Sequence, residues 1–198
     1  SFSFLFVALF LCTEKSEAAE QGECGASAFY TFDEQTGTMT ISGTGVIVRT
    51  WDDTIQEKIE NLVVEEGITT IPFEFFLDSK VLKKVQLADT VRMIRACAFR
   101  GCENLSEINL PEGLEEIHYN AFTDCVSLKE ITIPRSLQSG GSDCFAGCGL
   151  EEIHFVSGIT SIAPELFSGC GELKQIALPD TVRTIGYAAF SGCTSLQV

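Results

Sequence analysis

A chain of 198 residues, 45% hydrophobic and 10% aromatic, is long enough to bury a core and too apolar to be a disordered tail. Its 28 Asp and Glu against 13 Lys and Arg leave a net charge of −15, a field that repels phosphate backbones and makes nucleic acid and anionic membrane poor partners. The same acidity keeps an apolar repeat surface soluble, so charge alone does not name a function.

In chain order, the first feature is the apolar run Phe2 to Cys12, followed by polar Thr13 to Glu17 and the small pair Ala18-Ala19. That is the layout of a signal peptide's hydrophobic region and cleavage site, with removal expected near Ala19 and a secreted or cell-surface destination. A bilayer core needs about 20 apolar residues, so the run is too short to span. The first residue is Ser1 and no charged start is visible, so residues 1–19 are read as a signal peptide truncated at its N-terminus. Residues 20–58 are read as an N-terminal cap. Within it, F-Y-T-F and T-M-T-I predict two short strands joined by the D-E-Q-T-G turn, and Trp51 to Glu60 predicts a short helix opening at Thr50 or Asp52.

From residue 59 to 198 the chain repeats. Phe76, Phe99, Phe122, Phe145, Phe167 and Phe190 are spaced 23, 23, 23, 22 and 23 apart. Leu82, Leu105, Leu128, Leu150, Leu173 and Leu196 keep the same register, as do Val85, Ile108, Ile131, Ile153 and Ile176. The one short interval is a loop deletion, because Cys148-Gly149-Leu150 has one residue fewer than Cys125-Val126-Ser127-Leu128. A period of this length marks a solenoid, in which stacking the coils makes the core that no single coil could close. Inside each repeat, L-x-x-I-x-L followed by Pro at 111, 134 and 179 predicts a half-buried strand stopped by Pro. A second apolar pair (Leu114 and Ile117, Val182 and Ile185) then leads to an x-A-F-x-G-C turn that buries its Phe. The expected fold is a right-handed, mainly β solenoid with short turns and 3-10 segments. The last repeat is incomplete at Val198, and the natural chain is expected to continue.

Segments such as VRMIRACAFRGCENLSEINLPEG and VRTIGYAAFSGCTSL resemble the BspA-type leucine-rich repeats of bacterial and protozoan surface proteins, and GTMTISGTG with LVVEEGITTIP resembles the segment preceding those repeats. The resemblance covers about residues 22–198. It implies a leucine-rich-repeat solenoid with an extracellular, non-catalytic role in adhesion, and matrix proteins, host cells or other microbes as the class of partner. Gly140 in place of a core Ile, and Pro72 and Ser79 in the first repeat, depart from the pattern.

Nine Cys invite a disulfide or metal reading. Yet Cys102, Cys125, Cys148, Cys170 and Cys193 occur once per coil, which predicts a column of reduced, buried thiols packing on one another. Bridging along the column is open on Cα spacing but disfavoured by parallel side-chain directions. Cys24, Cys97 and Cys144 lie off the column, Cys12 leaves with the signal peptide, and no His or second Cys pair completes a zinc site. His118 and His154 stand at different phases of the repeat, so neither is placed to activate a thiol, and the chain is expected not to be an enzyme. No cofactor is implied. Glu65-Glu66, Glu115-Glu116 and Glu151-Glu152 read as solvated turns, since they lack the D-x-D-x-G spacing of calcium loops. Asn104-Leu105-Ser106 is a glycosylation sequon in an exposed turn.

The binding surface is expected on the concave β-ladder. Alternation sends two columns outward: Lys84, Glu107, Glu130, Glu152 and Gln175 beside Gln86, Asn109, Thr132, His154 and Ala177. Neighbouring Glu about 5 Å apart in water repel by roughly 0.8 kcal/mol, which a basic protein surface would relieve. The rival expectation is a structural surface coat that self-associates without a specific ligand.

Overall fold

Each coil turns on a Phe. The computed structural model describes residues 19–137 and 139–197, so the run Phe2–Cys12 and the cleavage site lie outside the described residues. In the turn around each Phe the backbone is left-handed two residues before the ring, at Glu74, Cys97, Asn120, Asp143, Glu165 and Ala188, with φ from 52° to 58°. It is left-handed again two residues after, at Asp78, Gly101, Asp124, Gly147, Gly169 and Gly192. These two bends aim the intervening ring into the coil. Phe76, Phe99, Phe122, Phe145 and Phe167 are fully buried, and successive rings along the column to Phe190 stack with centroids 5.1–6.2 Å apart and interplanar angles of 2–15°.

The turns are bonded to each other along the solenoid. Each Phe N–H donates to a carbonyl of the next coil: Phe76 to Ala98 (2.7 Å), Phe99 to Ala121 (2.8 Å), Phe122 to Cys144 (2.8 Å), Phe145 to Leu166 (3.0 Å) and Phe167 to Ala189 (2.9 Å). The residue two places on repeats the pattern, from Asp78 to Arg100 through Gly169 to Ser191.

Two rows of strands complete the coils. The chain runs β1 (Glu20–Glu23), β2 (Ala28–Asp33), β3 (Thr38–Gly43), β4 (Gly45–Val46), α1 (Asp53–Gln56), β5 (Asn61–Val64) and β6 (Ile68–Ile71). It continues through β7 (Lys84–Leu87), β8 (Met93–Ile94), β9 (Glu107–Ile108), β10 (Glu116–Ile117), β11 (Glu130–Ile133), β12 (Ser139–Gly140), β13 (Glu152–Phe155), β14 (Ser161–Ile162) and β15 (Thr184–Ile185). In the first row β3, β5, β7 and β9 pair in parallel, with β2 and β1 added antiparallel beyond β3, while β11 and β13 form a separate pair. In the second row β4, β6, β8, β10 and β12 pair in order, and β14 with β15 stand apart. Among the described residues the rows thus lapse at different places, between β9 and β11 and between β12 and β14. The second lapse follows Gly140, where a cavity of about 30 Å³ lies beside Leu137, Ile162 and Leu166 and an added Cβ would meet Leu166 Cδ1 at 3.0 Å. Among the described residues no helix is long and apolar enough to cross a membrane.

Two expectations are corrected. The helix is a single turn, Asp53–Gln56, not the whole of 51–60. Asp52 caps it, its Oδ1 accepting from the N–H of Thr54 (2.9 Å) and Ile55 (3.1 Å), and the Thr54 hydroxyl and these amides hold its carboxyl below the usual range. The helix ends early because Ile59 is drawn into the core while the N–H groups of Glu60 and Asn61 donate to the Gly37 carbonyl. The second correction concerns 175–178, which forms no strand, so the ladder stops at β13. At the opposite end, Tyr30, Trp51, Phe75 and Phe76 meet edge to face at 5.0–5.5 Å, which joins the first strands to the Phe stack.

Burying a Phe in this stack sets a scale. We predict that Phe122→Ala costs about 3–5 kcal/mol, whereas exposed Thr132→Ala shifts stability by no more than about 0.5 kcal/mol. Equal urea midpoints for the two variants would remove the Phe column from the core. A second prediction concerns Gly101, with φ +69°, where an added Cβ would stand 2.0 Å from Asp78 Oδ1. Gly101→Ala should cost more than about 1 kcal/mol, and part of that loss should disappear when Asp78→Gly is added. Strictly additive effects in that double-mutant cycle would mean that the two side chains do not compete for the space.

Candidate functional site

The first strand row has one face in the core and one in solvent, because its residues alternate. Val85, Leu87, Ile131, Ile133 and Ile153 point in; Lys84, Gln86, Glu130, Thr132, Glu152 and His154 point out and are exposed. Register aligns the outward residues into columns, Thr38–Asn61–Lys84–Glu107 and Thr40–Val63–Gln86 on one side of the lapse and Glu130–Glu152 and Thr132–His154 on the other. This face dips into an open groove of about 580 Å³ whose walls include Thr38, Asn61, Val63, Lys84, Gln86, Glu107, Asn109 and Glu130.

The expected site residues divide by what they already hold. Lys84 Nζ is 2.8 Å from Glu107 Oε1, so these two neutralise each other across adjacent coils. The Asn109 side chain replaces a missing strand residue: its Oδ1 accepts from Leu87 N–H (2.8 Å) and its Nδ2 donates to Leu87 O (2.7 Å). Gln86 and Thr132 stand outward. His154 Nε2 lies 3.5 Å from Glu152 Oε2, while among the described residues Glu130 has no basic side chain within ion-pair distance. Gln175 is exposed but lies outside the ladder. Sequence reasoning left out Asn61, Val63, Thr38 and Thr40, although Asn61 and Val63 stand 23 residues before Lys84 and Gln86. The strands before the repeats also add Phe29, 49% exposed, whose partner Ser42 shares the outward side with Thr40.

The other singled-out groups have structural partners. His118 Nε2 is 3.3 Å from Glu116 Oε2, so both imidazoles sit beside the Glu two residues earlier and neither is hydrogen-bonded to a thiol. Glu151 lies between Lys129 (3.9 Å) and Lys174 (2.8 Å), and Lys174 holds its carboxyl below the usual range. Glu115 faces Arg92 at 4.0 Å, and the Glu66 carboxylate accepts from the Asp89 N–H at 3.2 Å. Asn104 is exposed, and its Nδ2, the atom a glycan would occupy, donates to Lys80 O at 2.6 Å.

The thiol column does more than pack. Each thiol donates to the carbonyl of the Phe one coil earlier: Cys102 to Phe76 (3.0 Å), Cys125 to Phe99 (3.2 Å), Cys148 to Phe122 (3.0 Å), Cys170 to Phe145 (3.2 Å) and Cys193 to Phe167 (3.3 Å). Cys24, Cys97, Cys144 and the five column residues are free thiols. Off the column, Cys144 donates to Gly141 O at 2.8 Å, and Cys97 occupies one of the left-handed positions before a Phe.

Known proteins share this architecture. The chain matches the repeat profile described as BspA type Leucine rich repeat region in 6 copies, over residues 55–174 and 160–198. No curated protein matches it. Among solved structures it is similar to a leucine-rich-repeat protein of T. pallidum, at 26% identity over 89% of this chain and 91% of that one with a TM-score of 0.56. It is similar to one from Bacteroides ovatus, at 25% identity over 86% of this chain and 51% of that one with a TM-score of 0.57. A protein from Eubacterium ventriosum shares the fold at 20% identity, over 88% of this chain and 64% of that one, with a TM-score of 0.58. The chain therefore spans most of the first protein and less than two thirds of the other two.

Burial also fixes how the thiols titrate. It pushes Cys102 and Cys144 up to about 12, and Cys125, beside the Cys148 thiol and buried, is raised well above its ordinary value. Below the ordinary 9.0 the thiols are protonated folded and unfolded, so their contribution to stability is constant. Above it the unfolded chain releases protons that the folded chain retains, and stability falls until the pH passes about 12. We predict a urea midpoint that drops above pH 9.0, less steeply in Cys102→Ala/Cys144→Ala; identical slopes would contradict the burial of these thiols. In native protein, iodoacetamide should reach the half-buried Cys193 before Cys125, Cys148 or Cys170. A mapped bridge between any two of these would overturn the assignment.

Proposed function

Because the chain belongs to the BspA-type leucine-rich-repeat family, we propose that it is a non-catalytic extracellular module of the cell surface that binds other proteins through the outward face of its first strand row. Repeat proteins use such extended faces for recognition. In this reading residues 1–19 are a leader, 20–58 cap the stack and 59–198 supply the repeats. What supports the reading is the open groove on that face, lined by side chains that differ from coil to coil while the core positions beneath them stay aliphatic. The column thiols, protonated and hydrogen-bonded within the turns, offer no nucleophile.

The alternative is a structural surface coat whose copies self-associate without a specific ligand. Immobilised extracellular-matrix proteins should retain the folded chain, and they should retain less of it after outward-face substitutions than after changes at Glu115 or Glu116. If the chain instead bound none of them and sedimented as reversible oligomers at micromolar concentration, the coat reading would replace the adhesive one.

A further inference from the structure

The outward face of the first strand row is not uniform, and its polarity specifies a partner. At its N-terminal end it is neutral, with Thr31, Thr40 and Val63 in register on β2, β3 and β5 and the half-exposed ring of Phe29 beside them. In the middle, Lys84 and Glu107 cancel and the Asn109 amide is committed to the Leu87 backbone. At the far end Glu130 and Glu152 are partnered across β11 and β13, like charges on adjacent coils. Several other neighbours on adjacent coils are of opposite charge. Glu60 meets Lys83, Lys84 meets Glu107, and Glu151 meets Lys129 and Lys174, each an opposite charge one coil away. The acidic end is therefore left to be matched from outside.

Resting on the binding role proposed above, we infer that this face receives an extended protein segment lying across the strands, with an aliphatic or aromatic residue seated at Val63 on the neutral end and basic residues, preferably Arg, at Glu130 and Glu152. Charge complementarity selects the basic end, since among the described residues the His154 imidazole is the one cation within ion-pair distance of these carboxylates, and Lys174, whose charge Glu152 also feels, is bonded to Glu151. Arg is favoured because its planar fork can bond two carboxylates at once. The apolar end supplies the buried anchor that charge pairs in water do not. Val63 and Glu130 are three coil steps apart, about 14 Å at a strand spacing of ~4.8 Å. Allowing for their sideways offset, an extended chain rising ~3.3 Å per residue covers this in about five residues.

The test uses fluorescent synthetic peptides carrying one Leu and an Arg pair, placed adjacent, about five residues apart or about ten apart in a Ser/Thr background. Fluorescence anisotropy with the full chain should find the tightest binding at the middle spacing. Glu130→Gln/Glu152→Gln should weaken it roughly tenfold and remove its salt dependence. Val63→Ser should weaken it while leaving the salt dependence, and Tyr119→Ser, elsewhere on the surface, should change nothing; each variant is first checked for an unchanged urea midpoint. Failure of all spacings, indifference to spacing, or wild-type binding by the Glu variant overturns the inference. Matrix-protein capture that survives the Glu and Val63 variants would sink this inference and leave the adhesive role standing, whereas capture of no protein at all would sink that role itself.

Discussion

The interaction on which everything else rests is the hand-over at each Phe turn. A Phe amide donates to the next coil, the Phe carbonyl accepts a thiol from that same next coil, and the ring stacks on its neighbour. Both backbone groups of the most buried residue in the coil are thereby satisfied, which a dry core demands. This spine runs without a break from Phe76 to Phe190. The strand rows do not. Among the described residues the first lapses between β9 and β11 and the second between β12 and β14, and because the lapses are staggered, each falls where the other row and the Phe spine still join the coils.

That arrangement divides the labour. The spine has a Phe ring and two left-handed residues in every coil from Phe76 to Phe190, and a thiol in all but the first, where Ser79 stands instead. The outward strand positions carry no such duty, so Thr, Asn, Val, Lys, Gln, Glu and His can follow one another along a single face without disturbing the stack. Long-range charge is then managed locally. Ion pairs between neighbouring coils offset part of the self-repulsion of a chain with 28 acidic residues. Being exposed, such pairs add little stability; their consequence is to leave the remaining acidity concentrated where it is not cancelled.

The period, the Phe and Cys columns and the strand positions were legible because each is a residue type recurring at fixed spacing, and the deletion beside Gly149 was legible for the same reason. The acceptor of each thiol was not, since nothing in a column of Cys says which carbonyl faces it. The left-handed positions before each Phe were hidden because Glu74, Cys97 and Asp143 occupy them instead of Gly. The lapse between β9 and β11 was hidden too: E-I-T-I reads as good a strand as K-V-Q-L, and pairing depends on how two coils meet, which neither segment encodes alone. The helix was overextended because Ile59 carries both a helical periodicity and a repeat register, and the repeat won.

The candidate face shows the limit of alternation as a guide. Alternation correctly sends Lys84, Asn109 and Glu130 outward, yet outward is not the same as available. Asn109 spends its amide as a substitute for strand backbone, and Lys84 spends its charge on Glu107. Glu130 and Glu152 spend nothing on the backbone and face each other as like charges, although their register and exposure match those of the Lys84–Glu107 pair two coils earlier. What separates the two cases is only the sign of the neighbour. A solenoid whose coils are interchangeable in the core therefore distinguishes one stretch of its surface from another by single substitutions in the outward columns, and recognition on such a scaffold can be redirected without touching the turn that holds it together.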